Sequence, residues 1–263
     1  MNRIKLARIP KGSSPFYAVE KDGDFRVLEM PIADFYKAYF NESELKLGEV
    51  ISLPEVLLPP VEPTKIVCIG LNYKAHAEEQ GKDLPKEPLM FMKPTSALIG
   101  HGGSVILPPQ SELIHHEAEL AIIIGREAKN IAVEKVGEFI FGYTCANDVS
   151  ARDIQRREKR YTRGKGFDTF CPLGPYVLDR RTFHPDQNRV ALRVNGEGRQ
   201  DGALDDFIFD IPTVVSFVSQ VMTLFPGDVI LTGTPSGVAP MVNGDEVEIE
   251  ISNLALLRHN VER

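Results

Sequence analysis

Three carboxylates set the chemistry that this sequence can do. In HHEAELAIII, Glu117 and Glu119 stand two residues apart and run directly into the apolar residues 120–124. Side chains alternate faces along a strand, so both glutamates point one way while Ala118 and Leu120 point the other. Two carboxylates on one face beside a buried run are costly to desolvate unless a cation neutralises them. A second apolar stretch, FGYTCANDV, ends by presenting Asp148 beside Asn147 at a strand-to-helix junction. Three carboxylate oxygens with no convenient thiolate form a hard donor set, which favours Mg²⁺ or Mn²⁺ and also accommodates Ca²⁺. Read alone, Glu-x-Glu is equally an ordinary decoration of an exposed edge strand. His115, on the Glu117 side, and His116, opposite, are open to reading as supporting partners or as plain polar neighbours.

The elements that must carry these groups are mostly strands. KIVCIGLNY, PLMFMKP, SVILPP, ELAIIIGR and EFIFGYTCANDV read as short apolar strands, the first of them delivering a loop. SARDIQRREKRY has helical character, with Ser150 as its N-cap and Asp153 as an approximate capping-box partner. VALRVNGEGRQDG turns at Asn-Gly, and FYAVEKDGDFRVLEM turns at Asp-Gly, so each predicts a hairpin. IPTVVSFVSQVMTL carries apolar residues at helical spacing, with Pro212 near its start where proline is tolerated. It runs into GDVILTGTP, a strand ending in a Gly-rich loop, and GDEVEIEIS alternates as a half-exposed strand. The Pro-rich LPEVLLPPVEPTK separates a small β-rich section, 1–60, from a larger domain, 61–263. Many strands with only two or three helices predict a mixed, β-dominated α+β fold.

Composition narrows the function classes. Hydrophobic residues at 43% and charged residues at 25% describe a globular protein. A formal charge of −7 argues against a nucleic-acid surface while allowing a local basic pocket. The dispersed Cys68, Cys145 and Cys171 form neither a disulfide framework nor a CxxC site, and read as buried thiols in a reducing compartment. The opening residues lack a signal-peptide pattern, and no uncharged apolar run reaches about 18 residues, so a cytoplasmic location is expected. GTPSG lacks the Lys-Ser/Thr ending of a P-loop, and no GxGxxG opens a helix.

Seven segments in order, GLNYKAHAEE, PLMFMKPTSALIG, HHEAELAIIIG, GYTCANDVSARDIQ, KGFDTFCPLGP, VNGEGRQDG and GDVILTGTPSGV, strongly resemble the fumarylacetoacetate hydrolase superfamily. The resemblance covers nearly everything from Lys65 to Asp245, and is closest to the branch acting on acylpyruvates, oxaloacetate and related 2-oxo acids. It implies a β-sandwich or roll of the family's C-terminal type, usually a homodimer, with Mg²⁺ or Mn²⁺ on Glu117, Glu119 and Asp148. It also points to His76 and Glu79 as a catalytic pair, three positions apart and therefore neighbours on one helix face. A carboxylate beside an imidazole orients it for general-base work. In relatives this segment belongs to a lid, for which Gly70 and Gly81 are candidate hinges. Lys165 matches a family lysine suited to stabilising developing negative charge. Arg152 and Gln155 match the polar side chains after the metal aspartate, with Arg152 suited to a substrate carboxylate. Thr234 matches a position that meets the substrate carboxylate.

Such a site handles a 2-oxo acid held through its carboxylate and adjacent keto or enolate oxygen, the cation stabilising the enolate formed when the C3–C4 bond breaks. Hydrolysis of acylpyruvate-type 2,4-dioxo acids is the leading expectation. Isomerisation or decarboxylation of 2-hydroxy-dienoates in aromatic catabolism comes second, and oxaloacetate decarboxylation third, since each passes through a related enolate. A metal-binding, ligand-sensing module is the non-enzymatic alternative, against which His76, Glu79 and Lys165 argue. No nucleic-acid or membrane partner is expected.

Overall fold

The computed structural model describes residues 3–263; Met1 and Asn2, the first residues of the section 1–60, lie outside it. One large mixed sheet organises the chain. Its strands run in the spatial order Leu47–Ile51, Asp24–Leu28, Phe16–Lys21, Lys5–Ile9, Cys171–Asp179, Ile140–Asn147, Ala118–Ile124, Val229–Leu231, Ile66–Gly70 and Leu89–Lys93. A second sheet stacks Glu197–Ala203, Arg189–Val194, Glu246–Ile251, Ala255–Glu262 and Ser104–Ile106. The β-dominated α+β architecture expected from the sequence is the one found.

Both faces of the large sheet are covered, which explains why its middle strands read as continuous apolar runs rather than alternating ones. Every residue of Ala118–Ile124 and Ile140–Asn147 is buried. On one face, Leu120, Ile122 and Ile124 join Leu192, Ile249 and Leu257 of the second sheet and Val214 and Val218 of the helix Ile211–Val221. On the other, Ala121, Ile123 and Phe141 pack under Phe35, Tyr36 and Tyr39 of the helix Ile32–Phe40. Edge-on aromatic contacts of Phe35, Tyr36 and Tyr39 with Phe141, at centroid separations of 5.5, 5.3 and 4.9 Å, hold that helix down.

The N-terminal strands continue this sheet: Lys5 and Leu6 pair with Leu178 and Val177. Both predicted hairpins form. Asp22-Gly23 (φ 59° and 97°) and Asn195-Gly196 (φ 52° and 79°) take the left-handed conformations that a two-residue turn between right-twisted strands requires. Proline at the start of Ile211–Val221 follows an N-cap, Asp210, whose side chain accepts from the Thr213 N–H.

Two local expectations are corrected. Five α-helices lie among the described residues, Ile32–Phe40, Lys74–Glu79, Arg152–Glu158, Thr162–Lys165 and Ile211–Val221, rather than two or three. The first has Pro31 at its N-cap with no side-chain cap, so the usual start signal is missing. Ser150 does not cap Arg152–Glu158, whose N-cap is Ala151. The Ser150 hydroxyl donates instead to Glu117 Oε1 at 3.1 Å and to the Asp148 carbonyl at 3.0 Å. The helix starts one residue later than expected, because Ser150 and Ala151 are first drawn into a short strand pairing with His115 and Ile114. Asp153 accepts from Ser111 Oγ and from the N–H groups of Glu112 and Ile154.

Candidate active site

Strand register builds the site. Ala118 pairs with Asn147 and Glu119 with Ala146, so the chain leaving one strand brings Asp148 beside the chain entering the other. The Asp148 N–H donates to the Glu117 carbonyl at 2.9 Å. On the other side Ala121 pairs with Leu231, which carries Gly233 alongside Glu119, and the Gly233 N–H donates to Glu119 Oε2 at 2.7 Å. One carboxylate oxygen from each of Glu117, Glu119 and Asp148 falls within 4.8 Å of the others, and all three residues are buried. Among the described residues this is the one group of three His, Cys, Asp or Glu side chains close enough to share an ion.

Cationic side chains surround the triad. Lys165, only 2% exposed, reaches Glu117 Oε2 at 2.7 Å and Asp148 Oδ2 at 2.5 Å. The short helix Thr162–Lys165 turns this lysine inward. Lys93, equally buried, donates to Asp148 Oδ1 at 2.6 Å and to the Val149 carbonyl at 3.0 Å. Arg152 hydrogen-bonds Glu117 Oε1 through Nη2 and Gln155 Oε1 through Nη1, the latter at 2.5 Å. Sequence reasoning passed over Lys93, reading PLMFMKP only as a strand. Its signal was a lone charge closing an apolar strand just before proline.

These neighbours pull the two glutamates apart. Burial works to raise the Glu117 carboxyl, but Lys165 and Arg152, by charge and hydrogen bond, hold it well below the usual carboxylate range. Burial, together with the charges of Asp148 and Glu117, pushes Glu119 well above that range, with Lys165 and the Gly233 N–H opposing. Burial also works against the Lys165 charge, yet Asp148 and Glu117 outweigh it and keep the ammonium above its ordinary value. A divalent ion fits this donor set. Its oxygens are hard, converging and buried, and Glu119 is the carboxylate left without an ammonium of its own. Glu117, Glu119 and Asp148 would hold the ion, and Lys165, which now bridges two of them, would share them with it.

The remaining predicted residues border the same space. A cavity of about 240 Å³ is lined by the triad, His76, Arg152, Gln155, Lys165 and Thr234, with Leu71, Phe91 and Tyr161 among its apolar walls. His76 and Glu79 lie on the helix Lys74–Glu79, where His76 Nδ1 and Glu79 Oε2 are 2.8 Å apart. The other imidazole nitrogen, Nε2, receives the Gln80 amide at 2.6 Å. Gly237 N–H fixes the second Glu79 oxygen at 3.1 Å. Gly81 adopts φ 60°, whereas Gly70 is the last residue of a strand. Thr234 lines the cavity, but its hydroxyl is committed to the Ala118 carbonyl at 2.9 Å and to the Gln200 amide at 2.8 Å.

Behind the carboxylates lies a polar layer that the sequence did not disclose. Asn147 Oδ1 accepts the Glu117 N–H at 2.8 Å, and its amide donates to His259 Nε2 at 2.9 Å. Gln200 Oε1 accepts from His116 Nδ1 and from the Ala118 N–H, at 2.9 and 3.0 Å. His116 thus faces away from the cavity, as alternation predicts. Gln200 and His259 come from the second sheet, more than 80 residues away in sequence, so no local pattern could announce them.

Known proteins share both the sequence and the fold. The profile described as "Fumarylacetoacetate (FAA) hydrolase C-terminal" matches residues 65–262. An uncharacterised protein of Archaeoglobus fulgidus is 48% identical over 202 residues, covering 77% of this chain and 80% of its own. A protein of Arabidopsis thaliana named oxaloacetate tautomerase FAHD1, mitochondrial, is 42% identical over 204 residues, 76% of this chain and 92% of its own. The crystal structure described as 5-carboxymethyl-2-hydroxymuconate delta-isomerase from Mycobacterium smegmatis superposes with a TM-score of 0.87 at 37% identity, covering 98% of this chain and 99% of that one. With three quarters of its length matched by the profile and almost all of it by the fold, the chain belongs to the fumarylacetoacetate hydrolase family.

Proposed function

We propose that this protein is a divalent-cation-dependent hydrolase that cleaves the C–C bond of acylpyruvate-type 2,4-dioxo acids. The observation that carries the reading is that a buried carboxylate triad and His76 open onto one cavity, with Glu79 holding the imidazole from outside it. Bound there, the cation supplies Lewis-acid stabilisation to negative charge developing on a 2-oxo acid.

The protein's own groups then divide the work. Glu79 accepts the Nδ1 proton of His76, which leaves Nε2 as the basic nitrogen. Substrate entry displaces the Gln80 amide from Nε2. His76 takes a proton from water as that water's oxygen bonds to the distal carbonyl carbon. Collapse of the adduct breaks the C3–C4 bond, releasing a carboxylic acid and pyruvate enolate, which takes a proton at C3. Lys165 faces the triad as a fixed ammonium and stabilises the charge arriving on the enolate oxygen. Arg152 and Gln155 orient the substrate's carboxylate end, and the backbone at Thr234 closes that end of the cavity.

A second reading rests on the relatives' names, a tautomerase at 42% identity and an isomerase fold at 37%. In it the same residues relocate a proton between carbon and oxygen, with no attacking water. A kinetic panel of acylpyruvates, oxaloacetate and muconate-derived dienoates, with and without Mg²⁺ or Mn²⁺, separates the two. Hydrolysis predicts turnover of acylpyruvates that His76→Ala reduces by about 10²–10⁴-fold, the usual contribution of a general base. Undiminished hydrolysis in that variant removes His76 from the role. Turnover of oxaloacetate or dienoates alone replaces hydrolysis with the second reading.

A further inference from the structure

Both nitrogens of the His76 imidazole are occupied, and unequally. Glu79, bonded to Nδ1, is itself fixed by the Gly237 N–H, so that side of the ring is held firmly. The Nε2 side rests on one contact, the Gln80 amide at 2.6 Å. The Gln80 side chain makes no other hydrogen bond among the described residues. With the Nδ1 proton given to Glu79, Nε2 carries the lone pair and the amide is the donor. Gln80 is the C-cap of Lys74–Glu79, four residues after His76 and on the same helix face. A Schellman closure fastens the backbone there. Gly81 takes φ 60°, its N–H donates to the Glu78 carbonyl at 2.9 Å, and the Lys82 N–H donates to the Ala77 carbonyl at 3.0 Å. The helix end therefore does not need the Gln80 amide, and what is free to move is an exposed side chain turning about its own bonds.

Position gives this contact its meaning. His76 and Gln80 stand where the inner cavity meets an outer, cationic vestibule of about 600 Å³, lined farther out by Arg156, Lys159 and Arg160. A water that attacks a substrate in the inner cavity must give its proton to Nε2, and the amide N–H already fills the place of that O–H. Resting on the hydrolase function proposed above, we propose that Gln80 is a latch on the base. In the resting protein its amide stands in for the attacking water. A substrate whose acyl end reaches the junction draws the amide away, and water then gains Nε2. Water entering through the vestibule alone meets a base already engaged, so proton transfer waits for the substrate. Only molecules with the latch open bind productively, and their fraction scales the apparent affinity for substrate.

Two variants of similar shape, made in the intact protein and assayed with Mg²⁺, push the latch in opposite directions. Gln80→Met removes the donor. Gln80→Glu installs a carboxylate that bonds Nε2 only when that nitrogen is protonated, which disarms the base. For acylpyruvate cleavage, Gln80→Met should lower KM by about two- to tenfold, the contribution of one hydrogen bond no longer given up on binding. Gln80→Glu should lower kcat/KM by about tenfold or more. Diethyl pyrocarbonate reads the same nitrogen without substrate, because it acylates only an unprotonated imidazole. Peptide mass spectrometry at His76 should show faster acylation in Gln80→Met than in the parent, and slower in Gln80→Glu. The position is exposed, so the fold should persist, which circular dichroism checks. Weaker cleavage in both variants overturns the proposal, because the contact is then only structural. Equal acylation of parent and Gln80→Met also overturns it, and neither result touches the hydrolase function. No cleavage by the parent, with the expected order of acylation, keeps Gln80 as a cap on Nε2 but rejects the hydrolase. No cleavage and no difference in acylation overturns both.

Discussion

At the residue scale, the site is a set of buried charges that are tolerable only together. Removing one partner from a buried ion pair leaves the other uncompensated, which costs about 3–5 kcal/mol. Lys93→Met should therefore lower unfolding stability by about 3 kcal/mol, because Asp148 loses one of its two ammonium partners; adding Asp148→Asn should restore part of the loss. Denaturant midpoints check both, and a loss below about 0.5 kcal/mol in Lys93→Met would place the lysine outside the network. His259 makes a pH prediction. Burial lowers its pKa from 6.5 to about 4, so the folded protein keeps it neutral while the unfolded chain protonates it first. Its contribution is present above pH 6.5 and is lost as pH falls toward 4. His259→Gln should lose about 2–3 kcal/mol less than the parent between pH 7 and 4.5, measured by urea unfolding at both values. The three carboxylates stood out by type and spacing, since alternation and an adjoining apolar run are local signals, but it took the family resemblance to choose a cation site over an edge-strand decoration. Lys93, Gln80, Asn147 and His259 were not, because what matters is their partner and not their neighbours in sequence.

At the element scale, register does what no single residue can. Pairing of Ala118 with Asn147 and of Ala121 with Leu231 delivers Asp148 beside Glu117 and Gly233 beside Glu119. Gly233 is held at φ 95°, and a Cβ there would meet Asn72 Cβ at 2.8 Å and the Ile69 carbonyl oxygen at 3.2 Å. Gly233→Ala must move the backbone, and with it the N–H given to Glu119. It should cost about 1–3 kcal/mol of stability and weaken cation binding, read by unfolding and by calorimetric Mn²⁺ titration. Unchanged Mn²⁺ affinity would show that the N–H does not orient Glu119. Strands and hairpins were readable because period-two patterns, apolar runs and Asp-Gly or Asn-Gly turns are short-range. The Ile32–Phe40 helix was not, since it lacks a capping side chain and is held by aromatic packing on Phe141, a contact across a hundred residues. The expected cap at Ser150 was displaced for the same reason: pairing with His115, 35 residues away, keeps Ser150 extended and starts the helix after Ala151.

At the scale of the whole molecule, two sheets packed face to face bury a polar seam, and the chemistry sits where that seam reaches the surface. The second sheet supplies Gln200 and His259 behind the strands that carry the carboxylates. In front of them lie the cavity and its cationic vestibule. No helix among the described residues is long and apolar enough to cross a membrane. The same ordered motifs that suggested the family also ordered these parts in space, while the bond that is broken depends on the contents of the cavity and was never encoded as a local pattern. The central claim is that Glu117, Glu119 and Asp148 hold a divalent cation on which turnover depends. Its most direct test is Mn²⁺ titration of chelator-treated protein, with acylpyruvate cleavage followed at each addition. Activity should be absent at the start and rise with saturation at one ion per chain, and Glu119→Gln should not recover it. Full cleavage by the chelator-treated protein, unchanged as Mn²⁺ is added, would contradict the account.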